Sequence, residues 1–267
     1  MVDAASVAPT LIMGLPTSVL VTGAAVLGAV IGSFLGAVLS RMPEGRSVVR
    51  GRSACDGCGK ALTVIELVPV LSWAAQRGKC RTCGARIGGW QLACELGGAG
   101  IGVVSVLLAR EGFALAAMLL GWQLLLLALL DLRHLWLPRM LVGWLAASGL
   151  LVAFAAARVT DDASVLGFSL TGAALGFLML WLIARFYLKA RGREGMGSGD
   201  PPLLGAIGLW VGPLGVVEVM LGASILGIIA AIVMLVSKRK VDAETALPLG
   251  TCLAATAWPM FLLQGLG

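Results

Sequence analysis

The chain has 267 residues, of which 59% are hydrophobic and 13% charged, and a formal net charge of +6. A soluble domain carries about 45–50% apolar and about 25% charged residues, so this composition excludes an ordinary water-soluble globule. The basic excess invites a nucleic-acid reading, but the placement of Lys and Arg along the chain accounts for it as membrane topology instead.

Charge-poor apolar runs of about 18 or more residues mark membrane spans. In chain order they fall at 15–39, 90–109, 113–130, 138–157, 165–186, 203–217, 218–236 and 247–265. The first is a poor signal peptide: its N-terminal flank holds Asp3 and no Lys or Arg, and the run is too long. Only the Gly/Pro content around Gly212 and Gly215 separates the sixth run from the seventh, and without that break the count would be seven. The expected fold class is an all-α polytopic membrane protein with about eight transmembrane helices and a small cytoplasmic zinc-ribbon-like loop domain. Its parts are a first span (1–39), a loop (40–89) and a membrane domain of seven further spans (90–267). With the N-terminus outside, the loops at 40–89, 131–139, 185–202 and 237–246 face inward and hold 18 of the 20 Lys and Arg. That is the positive-inside bias.

The inward loop at 40–89 carries Cys55-x-x-Cys58 and Cys80-x-x-Cys83, each pair followed by a glycine. Two such knuckles read as a zinc ribbon, with four thiolates around a tetrahedral ion. Two disulfides are the alternative, which a reducing cytoplasm disfavours. Four protein ligands leave no position for water, so the expected role of Zn is structural. Cys94 and Cys252 lie in apolar runs and read as packing residues. The stretch IELVPVLSW, between the knuckles, is apolar enough to lie on the membrane surface or to pack on the ribbon.

Polar residues in the spans are scarce enough for elimination to work. The single histidine is His134, and none of the five lysines lies inside a span. Four acids do, or lie at a span edge: Glu95, Asp131, Asp200 and Glu218. An ionisable group at membrane depth is costly and marks a functional candidate. Asp131 ends the third span and Asp200 opens the sixth, so the charge-derived topology puts both at one membrane face. Two carboxylates brought together share a proton and can activate water while polarising a peptide carbonyl. Simpler readings stand beside this one. Asp200 suits a helix N-cap ahead of two prolines, and Asp131 can pair with Arg133 or Arg139. A Ser198–His134 nucleophile pair is thinner, lacking a third orienting group. The same acids also fit a transporter or channel path, or a non-catalytic membrane scaffold whose ribbon binds a partner.

Five pieces in order resemble the type IV prepilin peptidase family, and together they cover most of the chain. They are GSFLGAVLSRMP (32–43), the knuckles RSACDGCG and RGKCRTCG with VPVLSW between them, WQLACEL (90–96), LLDLRHLWLP, and GMGSGD followed by LLGAIGLWVG. The resemblance implies a membrane aspartic endopeptidase with catalytic Asp131 and Asp200, the latter in the GxGD loop formed by Gly197 and Gly199. It implies a prepilin or pseudopilin substrate whose basic leader is cut at the cytoplasmic face of a bacterial inner membrane. Many members also N-methylate the new terminus with S-adenosylmethionine. The chain departs from the family at Pro202, where a lysine is usual, and at Arg139, where a second aspartate is usual after the LP pair. It departs again at Gly36–Ala37, where the family's asparagine is missing, and in LPLGTCL (247–253), normally richer in Pro and Phe.

Overall fold

The computed structural model describes residues 15–48, 53–109, 113–193, 195–236 and 248–264. The first fourteen residues and the inward loop expected at 237–246 lie outside the described residues. The elements are helical: α1 (Thr17–Arg41), a 3₁₀ turn (Ile65–Leu67), α2 (Leu71–Ala75), α3 (Gly89–Leu108), α4 (Phe113–His134), α5 (Arg139–Thr160), α6 (Ser164–Arg191), α7 (Asp200–Val236) and α8 (Leu249–Gln264). Among the described residues, extended pairing is limited to the isolated bridges Ala54–Ala61 and Lys79–Arg86. Among the described residues, six helices are long and apolar enough to cross a membrane, and α8 is a shorter apolar helix of 16 residues. The protein is a polytopic membrane protein. The chain forms two compact units, Met1–Leu126 and Leu127–Gly267, which divide within α4.

In the first unit α1 and α3 pack antiparallel. Gly28 faces Gly98, Gly32 faces Cys94 and Glu95, and Ala24 faces Gly102. A side-chain carbon at Gly28 or Gly32 would collide with the backbone of α3. The sequence therefore spaces glycines four apart to bring two backbones together, which is how helices associate where lipid removes the hydrophobic drive. Trp122 of α4 adds a polar tie, its indole N–H donating to the Gly98 carbonyl at 3.0 Å.

In the second unit α5 and α6 form a hairpin. Asp161 ends α5 in a left-handed conformation with its N–H on the Ala157 carbonyl, and Asp162 Oδ1 accepts the Ser164 N–H at 2.9 Å to start α6. α6 runs antiparallel to the first half of α7, with Gly172 against Gly208 and Gly176 against Leu204. Trp210 links this half to its neighbours: its indole N–H donates to the Leu145 carbonyl of α5 at 3.0 Å, and its ring meets Phe261 of α8 edge-on at 5.7 Å.

α7 has 37 residues and is broken at Gly212, with φ 68° and ψ −178°. Pro213 follows, so the break combines a conformation open to glycine with the loss of an amide donor. Residues 200–211 run parallel to α8, with Asp200 beside Asp131 at the start of α8 and Val211 at its far end, where the Gln264 side chain donates to the Val211 carbonyl. Residues 213–236 run antiparallel to α8, with Gly215 at Gln264 and Gly222 at Thr256. The chain thus folds back at Gly212. The apolar segments are then α1, α3, α4, α5, α6, the two halves of α7, and α8, with the reversal close to where the Gly/Pro content placed it.

Candidate active site

Asp131 and Asp200 are each 5% exposed. Asp131 sits one turn before the end of α4, where Leu135 takes a positive φ of 48° and donates its N–H to the Asp131 carbonyl at 2.8 Å. That turn brings Leu137 back over the aspartate. Leu137 then packs against both other segments of the site, the Asp200 loop and the start of α8. A side-chain carbon at Gly199 would come within 2.8 Å of Leu137 Cβ, and one at Gly250 within 2.9 Å of Leu137 Cδ1 and 3.0 Å of Asp131 Oδ2.

The start of α8 holds Asp131 directly. Thr251 donates its backbone N–H to Asp131 Oδ2 at 2.7 Å, and its hydroxyl lies 3.1 Å from the same oxygen and 2.9 Å from the Ala128 carbonyl. The Gly250 amide also faces this carboxylate. On the other side Asp200 opens α7 in a tight turn, its N–H on the Gly197 carbonyl at 3.2 Å and its carboxylate facing the Gly197 amide. The Asp131 charge acts on Asp200, so the two carboxyls are near neighbours.

Neither simpler reading of the aspartates describes what they do. Pro201 and Pro202 have no N–H to cap, and the Leu203 N–H goes to the Gly199 carbonyl at 3.1 Å rather than to the Asp200 side chain. Among the described residues the ion pairs are Arg46–Glu44 and Arg46–Asp56, and Asp131 takes part in neither. Ser198 and His134 are both exposed, with no hydrogen bond between them among the described residues. Glu218 is exposed in the second half of α7, apart from the aspartate cluster.

Gly250 and Thr251 are the residues that sequence reading missed. They lie in LPLGTCL, which looked only like a weakened form of a family segment. A signal was present: threonine beside glycine at the start of a short apolar helix offers a hydroxyl and a free first-turn amide.

Four cysteine sulfurs form a second cluster. Cys55, Cys58, Cys80 and Cys83 place their Sγ atoms within 4.8 Å of one another, and Cys55 and Cys83 are 3.7 Å apart. All are free thiols. A tetrahedral ion with bonds of about 2.3 Å requires sulfurs about 3.8 Å apart, so the donor set fits a metal. Amides within the knuckles turn toward the sulfurs: Gly57 N–H points at Cys55 Sγ and Thr82 N–H at Cys80 Sγ, both at 3.4 Å. The amides of Cys83 and Thr82 bring the Cys80 thiol down to about 6.

Glu95 belongs to neither cluster. It is 5% exposed in α3 and accepts the Val70 N–H at 2.7 Å and the Gln91 amide at 3.0 Å. Gln91 in turn donates to Ser33 on α1.

A membrane protein with two buried aspartates, one of them in a GxGD loop, and a tetrathiol cluster defines a class, and comparison with known proteins names it. Residues 26–109 match the Bacterial Peptidase A24 N-terminal domain, and residues 118–232 match the Type IV leader peptidase family. A prepilin leader peptidase/N-methyltransferase of Burkholderia pseudomallei is 34% identical, across 94% of this chain and 90% of that protein. A type 4 prepilin-like proteins leader peptide-processing enzyme of Escherichia coli is 31% identical, across 91% and 94%. A prepilin leader peptidase/N-methyltransferase of Aeromonas salmonicida is 32% identical, across 85% of each chain. No solved structure matches the chain significantly. The chain belongs to the type IV prepilin leader peptidase family and is an enzyme of the peptidase class.

Proposed function

We propose that the protein cuts the short basic leader from prepilins or pseudopilins at the cytoplasmic face of the inner membrane, using Asp131 and Asp200 as a catalytic dyad. The observation that carries this reading is the placing of two carboxyls, each 5% exposed, around one side chain: Leu137 packs against Gly199, next to Asp200, and against Gly250, which faces Asp131. The names of the curated relatives support the substrate class.

Thr251 occupies Asp131 Oδ2, which leaves Oδ1 to accept a proton from water. The water oxygen attacks the scissile carbonyl carbon while Asp200 gives the shared proton to the carbonyl oxygen. As the tetrahedral intermediate collapses, the C–N bond breaks, Asp131 returns its proton to the leaving amine, and Asp200 regains one from the hydroxyl. Gly197 leaves the space beside the carboxyl open, where a side-chain carbon would lie 3.2 Å from Asp200 Oδ2, so an extended peptide can approach it.

The ribbon cysteines would hold Zn²⁺, which fixes the 40–89 loop as a structural unit and leaves no open coordination position. The charge bias supports the orientation with the N-terminus outside and this loop in the cytoplasm. The polar groups described around the dyad (Thr251 and the Gly197 and Gly250 amides) are turned to the aspartates. The names of the Burkholderia and Aeromonas relatives also carry N-methyltransferase, and S-adenosylmethionine would supply the methyl group for the new terminus.

The test expresses the chain with a prepilin and compares wild type with Asp131→Asn, Asp200→Asn, Ser198→Ala and His134→Ala. Either aspartate change alone abolishes leader cleavage, while the Ser and His variants stay active. Cleavage that survives both aspartate substitutions overturns the dyad.

A further inference from the structure

Between the two cysteine knuckles, residues 64–71 neither pack on the ribbon nor turn away from water. Val64 is 82% exposed, Ile65 70% and Leu71 69%, with Leu67 and Val68 also exposed. Five large apolar side chains exposed within eight residues concentrate apolar surface on one short segment, which soluble surfaces rarely leave uncovered. The one charge in the stretch is turned off that surface. Glu66 Oε2 accepts both the N–H and the hydroxyl of Thr63 at 2.9 Å, on the side of Lys60 and Arg81.

The segment is held at a definite height. Val70 donates its N–H to Glu95 Oε2 at 2.7 Å, and Glu95 is buried six residues into α3. Six residues of helix rise about 9 Å, and a 20-residue span has about the length of the bilayer core. A helical side chain leans back toward the N-terminus, so the tie fixes Val70 near the level where α3 enters the apolar layer. Val70 has φ 61° and ψ −51°, an unusual conformation for a β-branched residue. Such strain persists only where the surroundings dictate it. Here the Glu95 bond and the Gln91–Ser33 contact to α1 do so.

We infer that residues 64–71 form a membrane-seated edge, with Val64, Ile65, Leu67, Val68 and Leu71 inserted among the lipid headgroups and first acyl carbons, and that Glu95 sets their depth. The occupant of the apolar edge is the bilayer surface. The loop at 40–89 holds nine Lys and Arg against three acids, a charge that complements anionic lipid. Seating on both terms would hold the metal-binding knuckles at the interface, as interfacial segments do. This inference does not depend on the chemistry of the aspartates.

The experiment places one environment-sensitive fluorescent amino acid at position 65 of the full chain, and in a second protein at exposed position 56 in the ribbon. Both are reconstituted in phosphatidylcholine/phosphatidylglycerol vesicles, and retained metal content selects folded protein. The expected result is strong quenching at position 65 by lipids brominated near the headgroup end of the acyl chain, and iodide quenching several-fold weaker than at position 56. Equal iodide quenching at the two positions, with no effect of brominated lipid, overturns the inference. Protection at position 65 that arises only when prepilin is added also overturns it, because the edge would then bind protein.

Discussion

At the residue scale, the site turns on a threonine rather than on the aspartates alone. Asp131 was legible because a carboxylate at the end of an apolar run has to be explained. Thr251 was not, because one hydroxyl in an apolar helix costs little and has many ordinary uses. Its two contacts to Asp131 Oδ2 make it a positioning residue. Thr251→Val keeps the backbone N–H and removes the hydroxyl, a hydrogen bond to a charged group worth about 1.5–3 kcal/mol. The expected outcome is a fall in kcat of about tenfold or more with KM little changed, and recovery in Thr251→Ser. A change in KM alone, measured with a prepilin peptide, would contradict positioning. Pro202 stays without a structural explanation beyond its place in the first turn of α7.

At the element scale, small residues set the distances between helices. Gly32 meets the α3 backbone, whereas Gly23 on the same helix has open space around it. Gly32→Leu should force α1 from α3 and lower stability by about 1–3 kcal/mol, the usual cost of overpacking, while Gly23→Leu should be nearly neutral. Thermal unfolding of the two variants in detergent checks this, and equal melting temperatures would refute the contact. The eight apolar runs were readable from hydropathy, and the Gly/Pro content located the reversal in α7. Hydropathy could not show that this reversal is a single residue, Gly212, because composition is blind to φ. It also could not show that 64–71 stays exposed, since an apolar run reads alike whether it faces lipid, protein or water.

At the scale of the whole molecule, a structural metal at the tetrathiol cluster and a catalytic dyad at the aspartates predict separable failures. Chelation, or Cys58→Ser, should strip the metal and lower thermal stability. Leader cleavage should persist in correctly inserted protein, and metal analysis beside a cleavage assay reads both. Proton competition gives the pH dependence. Cys80 lies below the usual thiol range, at about 6, so its thiolate is present above that pH and is lost as the pH falls through it. Burial and the neighbouring thiols push Cys83 up to about 11, so protons compete for the set on both sides of neutrality, and metal retention in a weak chelator should fall progressively as the pH is lowered, most steeply once Cys80 also protonates. Loss that begins instead on raising the pH from 7 would contradict the assignment.

The sequence by itself determined the membrane class, the number of apolar segments, the four metal-ligand candidates and the two acids worth watching. Each rests on what a bilayer or an ion demands of residue type and spacing, and those demands are local. Only the tertiary structure decided that Asp131 and Asp200 lie on either side of Leu137, that the start of α8 supplies the donors to Asp131, and that Glu95 grips the Val70 turn. Those contacts join residues between 25 and 120 positions apart. They depend on which helix faces which, and that is set by glycine contacts and one backbone reversal that no hydropathy pattern records.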